Sequence, residues 1–251
     1  MTGVPSTTDL SWFVPLSDPD AGKAHVYALP QVGGGCATFA ACADVLAPHT
    51  VVWGVNLPGR QARFLEPPRT ALMPLVGELA DALQTVDPPP QVLFGYCSGA
   101  LLAFLIVQEL HARAAAPPGR LVVASHPAPD RVPPPTNLHT LPSDQFWAEI
   151  ISYGGVSDEI AAQADFREIF EPALRGDYAL LADYRAAPAP PLDLPITVVV
   201  GAGDPVLRED DLLAWRSFTT GDFALHTLDG DHWLLDTAGA ELAALLDKEA
   251  Q

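Results

Sequence analysis

The side chains best suited to covalent chemistry in this sequence are a thiol, a carboxylate and an imidazole: Cys97, Asp204 and His232. Cys97 is the middle residue of Gly95–Gly99 (GYCSG), between a run that predicts a strand and a run that predicts a helix. This is the context of a nucleophile elbow, in which a strained turn presents the central side chain above a sheet. The helix N-terminus behind the turn favours a thiolate. We therefore predict that Cys97 is a nucleophile.

Two other interpretations of this segment compete with the elbow. In the first, Cys97 only fills space as a small buried residue, as free cysteines often do. In the second, Ser98 is the nucleophile. The second fails on spacing, because counting from Ser98 puts Tyr96 and Ala100 where the elbow needs glycine.

An acyl transfer on this turn also needs a base and an acid, in the chain order nucleophile, acid, histidine. Asp204 follows a predicted strand in the turn GAGDP, and His232 follows the last predicted strand. Taken singly, Asp204 could be a turn-forming residue beside Gly and Pro, and His232 a surface histidine. Asp231 is the second choice of acid, because a neighbouring residue does not easily reach the imidazole Nδ1. The remaining histidines have no acidic or nucleophilic partner in a suitable context, among them His126.

The loop Leu29–Gly35 (LPQVGGG) and the start of the elbow helix are predicted to stabilise an oxyanion. The predicted donors are the backbone N–H groups of Val32 and Ser98. A glycine-rich turn that only reverses the chain is the alternative. A phosphate-binding loop is less favoured, because G-x-G-x-x-G and a following Lys-Ser/Thr are absent.

Short apolar, β-rich runs alternate with stretches of helical pattern along the chain. The predicted strands are His25–Leu29, Val51–Val55, Val92–Gly95, Leu121–Ala124, Ile196–Gly201 and Phe223–Leu228. The predicted helices are Thr38–Leu46, Ala71–Gln84, Gly99–Ala115, Asp210–Phe218 and Ala238–Lys248. This alternation indicates a mostly parallel central sheet with helices on both faces. Together with the elbow it predicts an α/β-hydrolase fold in a single domain over residues 1–251.

The alternation is interrupted between about residues 127 and 195. Proline clusters open and close this stretch, and Ser143–Tyr153, Ser157–Ala164 and Asp177–Tyr184 are helical in pattern. A helical insertion between two core strands is typical of a lid over a site at the strand ends. The alternative is an excursion that packs on the domain without gating anything.

Composition excludes several classes of function. The net charge of −18 and the pI near 4.4 argue against nucleic acid and anionic membranes as partners. Three cysteines without CxxC spacing predict neither a disulfide framework nor a zinc site. No secretory signal and no membrane-length apolar run is apparent, so we expect a cytoplasmic protein, with a monomer as the default.

Further segments resemble the type II, stand-alone thioesterases of polyketide and non-ribosomal peptide synthesis, over nearly the whole chain. The segments that carry the resemblance are Leu29–Gly34 (LPQVGG), Leu57–Arg63 (LPGRQAR) with Glu66–Pro68, Phe94–Phe104, Pro172–Tyr178 (PALRGDY) and Gly230–Leu235 (GDHWLL). The match to the Pro-Gly-Arg segment is specific to this family. The sequence departs from the family at two positions: Cys97 replaces the usual serine, and Gln31 the usual histidine.

The resemblance implies a mobile helical lid and a substrate held on the phosphopantetheine arm of an acyl or peptidyl carrier protein. It implies no metal and no cofactor of the protein's own. Gln31, Tyr96 and Trp233 adjoin the predicted catalytic residues, and we expect them to contact the substrate.

The cysteine leaves the second half of the reaction open. An acyl group passes from one thioester to another with little change in free energy, so a second thiol, an amine or a hydroxyl could take it as readily as water. Three hypotheses follow. The near full-length resemblance favours a hydrolytic thioesterase, and Cys97 favours an acyltransferase or cyclase. The third is a non-catalytic carrier-binding protein. The presence of Cys97, Asp204 and His232 together counts against it.

Overall fold

The computed structural model of the chain describes residues 12–19, 23–134, 136–154, 156 and 158–251. Within these residues the apolar, β-rich runs form the strands of one sheet: β1 (Phe13–Pro15), β2 (Ala24–Leu29), β3 (Thr50–Val55), β4 (Val92–Tyr96), β5 (Arg120–Ala124), β6 (Ile196–Gly201) and β7 (Phe223–Leu228). Their order across the sheet is β1-β3-β2-β4-β5-β6-β7. Only β1 runs antiparallel to its neighbour. The predicted, mostly parallel sheet is confirmed.

Helices cover both faces of this sheet, as predicted. Their bounds are α1 (Ala40–Leu46), α2 (Leu72–Thr85), α3 (Ser98–Ala112), α4 (Ser143–Ser152), α5 (Asp158–Ala161), α6 (Ala164–Asp183), α7 (Glu209–Leu213), α8 (Leu234–Thr237) and α9 (Gly239–Ala250). Alternate residues of each strand face opposite layers: Tyr27 packs with α2 and α3, whereas Val26 packs with α1 and α9. Two apolar clusters, one on each face, therefore hold the sheet between the helices.

The inserted segment, residues 127–195, contains α4, α5 and α6 between β5 and β6. The helical pattern predicted at Asp177–Tyr184 is the end of a much longer helix, α6, which begins at Ala164. The sequence pattern missed this because Pro172 lies inside the helix. Proline removes one backbone hydrogen bond, and an ion pair between Glu171 and Arg175 spans the same turn.

The inserted segment occupies the position predicted for a lid, and its opening and closing stay a prediction. Part of the predicted helix Ser157–Ala164 and of the proline cluster near residue 135 lies outside the described residues. No helix in the described ranges is long and apolar enough to cross a membrane.

Candidate active site

Cys97 lies between β4 and α3 in the strained turn expected of an elbow. Its backbone is in the left-handed half of the map, with φ 51° and ψ −123°, which an L-residue adopts only at a cost. The Cys97 N–H donates a 2.8 Å hydrogen bond to the carbonyl oxygen of Ala124, at the end of β5. The turn is thus tied to the neighbouring strand.

Both glycines of the elbow are required by close backbone contacts. A Cβ added at Gly95 would overlap Gly99 and Ala100, at the start of α3. A Cβ at Gly99 would overlap the backbone of Leu29 and Pro30, where β2 ends. Helix α3 therefore rests directly on the strand that leads into the glycine-rich loop, and only glycine permits this distance.

His232 and Asp204 meet beside the elbow. Nδ1 of His232 lies 2.7 Å from Oδ2 of Asp204, whose side chain is 1% exposed. The other oxygen, Oδ1, accepts hydrogen bonds from the N–H groups of Val206 and Leu207. The carboxylate is thereby oriented from both sides, and it holds the imidazole by its Nδ1.

The hydrogen bond between these two side chains raises the pKa of His232 and lowers that of Asp204. The hydrogen bond with Asp204 comes first among the causes that raise the pKa of His232 to about 10, followed by the interaction with Cys97, while burial opposes the shift. Burial works to raise the pKa of Asp204, but its hydrogen bonds, above all that from His232, lower it. At neutral pH the imidazole is therefore protonated and the carboxylate is ionised.

Asp231, the second choice of acid, is used differently. Its Oδ1 accepts the N–H of Trp233 at 2.8 Å and the hydroxyl of Thr237 at 3.2 Å. These bonds shape the loop that carries His232. Nδ1 of the imidazole is bonded by Asp204, in agreement with the preferred assignment.

The backbone of His232 is held by two hydroxyl groups. Tyr96 Oη and Ser125 Oγ each donate a 3.0 Å hydrogen bond to the His232 carbonyl oxygen. Tyr96 is 1% exposed. Its predicted contact with substrate does not fit this position, because the ring packs in the apolar cluster on the α1 and α9 face of the sheet and does not line the cavity beside Cys97. Tyr96 positions the histidine loop.

The three glycine amides of the glycine-rich loop are engaged in hydrogen bonds, whereas that of Val32 is not bonded to any described residue. Gly33 N–H donates to Asp177 Oδ2, Gly34 N–H to the Gln31 carbonyl, and Gly35 N–H to Thr38 Oγ1. No described residue accepts the N–H of Val32. Ser98 heads the first turn of α3, where backbone N–H groups lack intrahelical acceptors. Both predicted oxyanion donors line the same cavity as Cys97, and their role stays a prediction.

A buried ion pair connects this loop to α6. The Arg60 guanidinium binds Asp177 through both nitrogens, at 2.8 and 2.6 Å, and also donates to the Gly34 carbonyl oxygen at 2.8 Å. Arg60 is 7% exposed and Asp177 9%. Since Asp177 also accepts the Gly33 N–H, one carboxylate fixes the loop, the arginine and the helix relative to each other.

A cavity of about 660 Å³ opens beside Cys97 and His232. Its walls are mainly apolar, and they come from the loops after the strands and from the inserted segment: Val32, Pro127, Ile150, Val156, Leu174, Leu181, Pro205, Val206, Leu207 and Trp233. This volume suits a small-molecule or acyl ligand. Gln31 and Trp233, both predicted to contact substrate, line the cavity, so their position is compatible with that role.

The sequence interpretation missed three residues of the cavity: Ser125, His126 and Tyr178. Ser125 and His126 directly follow β5, so their place after a central strand was a signal that could have found them. Tyr178 lies on α6. Burial raises the pKa of its hydroxyl. Among the described residues, no cluster of His, Cys, Asp or Glu is arranged to hold a metal ion.

Comparisons with known proteins agree with this architecture. The family model described as "Thioesterase domain" matches residues 24–248. The chain is 28% identical to the gramicidin S biosynthesis protein GrsT of Aneurinibacillus migulanus, over 95% of this chain and 93% of that protein. It superimposes with a TM-score of 0.83 on RedJ, a thioesterase of the prodiginine pathway in Streptomyces coelicolor, at 32% identity, covering 93% of this chain and 88% of RedJ.

A second solved structure is equally similar. The type II thioesterase BorB, from the borrelidin biosynthetic cluster, superimposes with a TM-score of 0.85 at 28% identity, covering 96% of this chain and 98% of BorB. These thioesterases have the α/β-hydrolase fold, and the predicted fold is thereby confirmed.

The contact of α3 with β2 predicts the effect of a methyl group at position 99. Gly99→Ala should lower the free energy of unfolding by about 1–3 kcal/mol, because the new Cβ overlaps backbone that cannot rotate away. Gly239→Ala is the matched control, since no atom lies within 4 Å of its added Cβ. Urea unfolding of the two variants measures the difference, and equal stabilities would contradict the close contact.

The pKa of His232 should depend on Asp204. A carboxylate at Nδ1 favours the protonated ring, so Asp204→Asn removes the leading cause of the raised value and the imidazole should titrate well below pH 10. An NMR titration of labelled histidine in both proteins measures this change. Asp210→Asn, at an exposed position of α7, is the control and should leave the His232 titration where it is. An identical titration in Asp204→Asn would remove Asp204 from this role.

The ion pair between Arg60 and Asp177 should be costly to break from one side. Asp177→Asn leaves a buried guanidinium without its counter-charge and should cost about 3–5 kcal/mol of unfolding free energy. The double variant Arg60→Met/Asp177→Leu should recover most of this loss, because no unpaired charge remains buried. Asp81→Asn, which breaks a pair whose carboxylate side chain is 72% exposed, should cost at most about 1 kcal/mol. A single Asp177→Asn as mild as Asp81→Asn would contradict the buried pair.

Proposed function

This chain belongs to the thioesterase domain family, and from that premise we propose that it hydrolyses acyl thioesters on the phosphopantetheine arm of acyl or peptidyl carrier proteins in polyketide or non-ribosomal peptide biosynthesis. The observation that carries the proposal is the hydrogen bond between His232 and Asp204, in an apolar cavity that Cys97 and His232 both line. The similarity to GrsT and BorB over nearly the full length of each supports the assignment of substrate and pathway class.

In the first half-reaction the Cys97 thiolate attacks the thioester carbonyl carbon. As the thiol is deprotonated its proton passes to His232, whose raised pKa favours the protonated ring. The carbonyl oxygen becomes an oxyanion, for which the free N–H of Val32 and the N–H of Ser98 are the donors. When the tetrahedral intermediate collapses, the carbon–sulfur bond to pantetheine breaks and the imidazolium returns the proton to the departing sulfur. The acyl group is then a thioester of Cys97.

The second half-reaction needs His232 as a base. Acylation consumes the Cys97 thiol, and with it the second cause of the raised histidine pKa. The acyl-enzyme therefore holds a more weakly protonated imidazole than the free enzyme. Its neutral form takes a proton from water, and the hydroxide equivalent attacks the Cys97 acyl carbon. When this second tetrahedral intermediate collapses, the carbon–sulfur bond to Cys97 breaks and the carboxylic acid leaves. The sulfur of Cys97 and His232 return to their starting state, with the proton that came from water replacing the one given to pantetheine.

Transfer to another thiol, amine or hydroxyl uses the same acyl-enzyme. Cysteine permits this outcome chemically, but the relatives support hydrolysis and give the transfer no support. Monomeric state and cytoplasmic location stay predictions.

Intact-protein mass spectrometry tests the proposal. The wild-type chain, mixed with acyl-loaded carrier and quenched within seconds, should carry one acyl group on Cys97 while free acid accumulates. Cys97→Ala should show neither the adduct nor turnover, because no nucleophile remains. Cys36→Ala, which removes a partly exposed thiol of the same chain, is the matched control and should retain both. His232→Ala should slow acylation by roughly 10²–10⁴-fold.

Three results would contradict parts of the proposal. Turnover by Cys97→Ala close to that of wild type would exclude Cys97 as the nucleophile. An acyl group that moves to a second holo-carrier faster than to water would make the protein a transferase. Carrier binding without any adduct or turnover would exclude catalysis altogether.

A further inference from the structure

A second histidine lies in the wall of the active-site cavity. His126 follows β5 by two residues, and the last residue of that strand, Ala124, accepts the backbone hydrogen bond of Cys97. The residue between them, Ser125, donates to the His232 carbonyl oxygen. His126 lines the cavity together with Cys97 and His232, and it is 9% exposed. It is therefore close to the reacting atoms without being part of the Cys97–His232–Asp204 contacts.

The hydrogen bonds of His126 define which nitrogen carries the proton. Its Nδ1 lies 2.8 Å from the carbonyl oxygen of Pro127, which can only accept. Nδ1 is therefore the donor. Burial, aided by the charge of His232, lowers the pKa of His126 to about 4, so the ring is neutral at physiological pH. In this tautomer Nε2 has a lone pair and no proton.

Nε2 of His126 is an acceptor without a protein donor. No described residue bonds to it, and it is not among the side-chain atoms sealed from solvent without a partner. The atom therefore opens to the cavity. Trp215 Nε1 donates to the His126 carbonyl oxygen at 3.2 Å, which holds the residue from its backbone side. The bond to Pro127 orients the ring, and the bond from Trp215 holds the backbone that carries it.

The charges around the cavity restrict what the acceptor can bind. None of the described residues that line the cavity is Lys or Arg. Asp231 adds a carboxylate, and the protonated His232 is already bonded to Asp204. A carboxylate on the acyl chain would find no free cation here, and a neutral imidazole acceptor would repel it. A hydroxyl or amino group could instead donate to Nε2.

On the basis of the proposed function, we propose that His126 selects acyl groups that carry a hydrogen-bond donor, a hydroxyl or an amine, close to their thioester carbonyl. The apolar walls take the rest of the chain. A plain alkyl acyl group offers no donor to Nε2, which lowers its relative rate. Acyl groups that end in a carboxylate are disfavoured.

A panel of acyl groups on one holo-carrier tests this specificity. The probes are 3-hydroxybutyryl, butyryl and malonyl, and the measured quantity is kcat/KM for loss of acyl-carrier by mass spectrometry. For the wild-type chain we expect 3-hydroxybutyryl to exceed butyryl by roughly tenfold, as one hydrogen bond allows, and malonyl to be the slowest.

Two substitutions separate a role in specificity from a structural one. His126→Asn places an amide N–H where Nδ1 was, so the bond to Pro127 is retained while the group at Nε2 is lost. The ratio of kcat/KM for 3-hydroxybutyryl to that for butyryl should then fall toward one. His126→Gln places an amide group near Nε2 and should restore most of the preference. His111→Asn, at an exposed position near the end of α3, is the control and should keep the wild-type ratio.

The outcomes are distinguishable from failure of the proposed function. If none of the three acyl groups is hydrolysed and Cys97 carries no adduct, the proposed function fails and this inference with it. If all are hydrolysed without a preference for the hydroxyl, or if His126→Asn keeps the preference, only the role of His126 is overturned. Malonyl as the fastest substrate would overturn the substrate class. The three rates of the wild-type protein test the preference for the hydroxyl-bearing acyl group even if a variant does not fold.

Discussion

The buried ion pair between Arg60 and Asp177 is the interaction on which the geometry of the site most depends. It joins residues 117 positions apart in the chain and ties α6 to the glycine-rich loop. Asp177 also accepts the Gly33 N–H, so that amide of the loop is fixed by the same carboxylate. A buried pair of this kind rarely adds much net stability over apolar packing. We interpret the ion pair as an interaction that fixes relative position. Because it joins α6, in the wall of the cavity, to the glycine-rich loop, the two cannot shift independently of each other.

The strands and the order of the candidate residues could be predicted because both follow from local pattern. Strands buried on both faces are continuous apolar runs, and the predicted strand Ile196–Gly201 has the observed bounds. Cys97, Asp204 and His232 each follow a strand, so parallel topology alone brings them to one edge. Long-range contacts leave no such signal. Nothing local indicates that Asp177 meets Arg60, nor that α6 continues through Pro172, because tertiary packing decides both.

The cavity contains two imidazoles in opposite protonation states, and their surroundings explain the difference. His232 has a carboxylate at Nδ1, which favours the cation. His126 has a backbone carbonyl at the same atom and is more deeply buried, which favours the neutral ring. The sequence interpretation set His126 aside because it looked for an acidic partner. Without that partner the ring stays neutral and keeps an acceptor at Nε2, which is the basis of the specificity that we propose for it.

The close contact between α3 and β2 also affects which substitutions the site can accept during evolution. Gly99 lies so close to the backbone of Leu29 that the helix after Cys97 and the strand leading to the glycine-rich loop meet there through main-chain atoms. Their spacing is therefore insensitive to the identity of the side chain at position 97. Oxygen and sulfur can be exchanged there by a single-codon change without remodelling the frame.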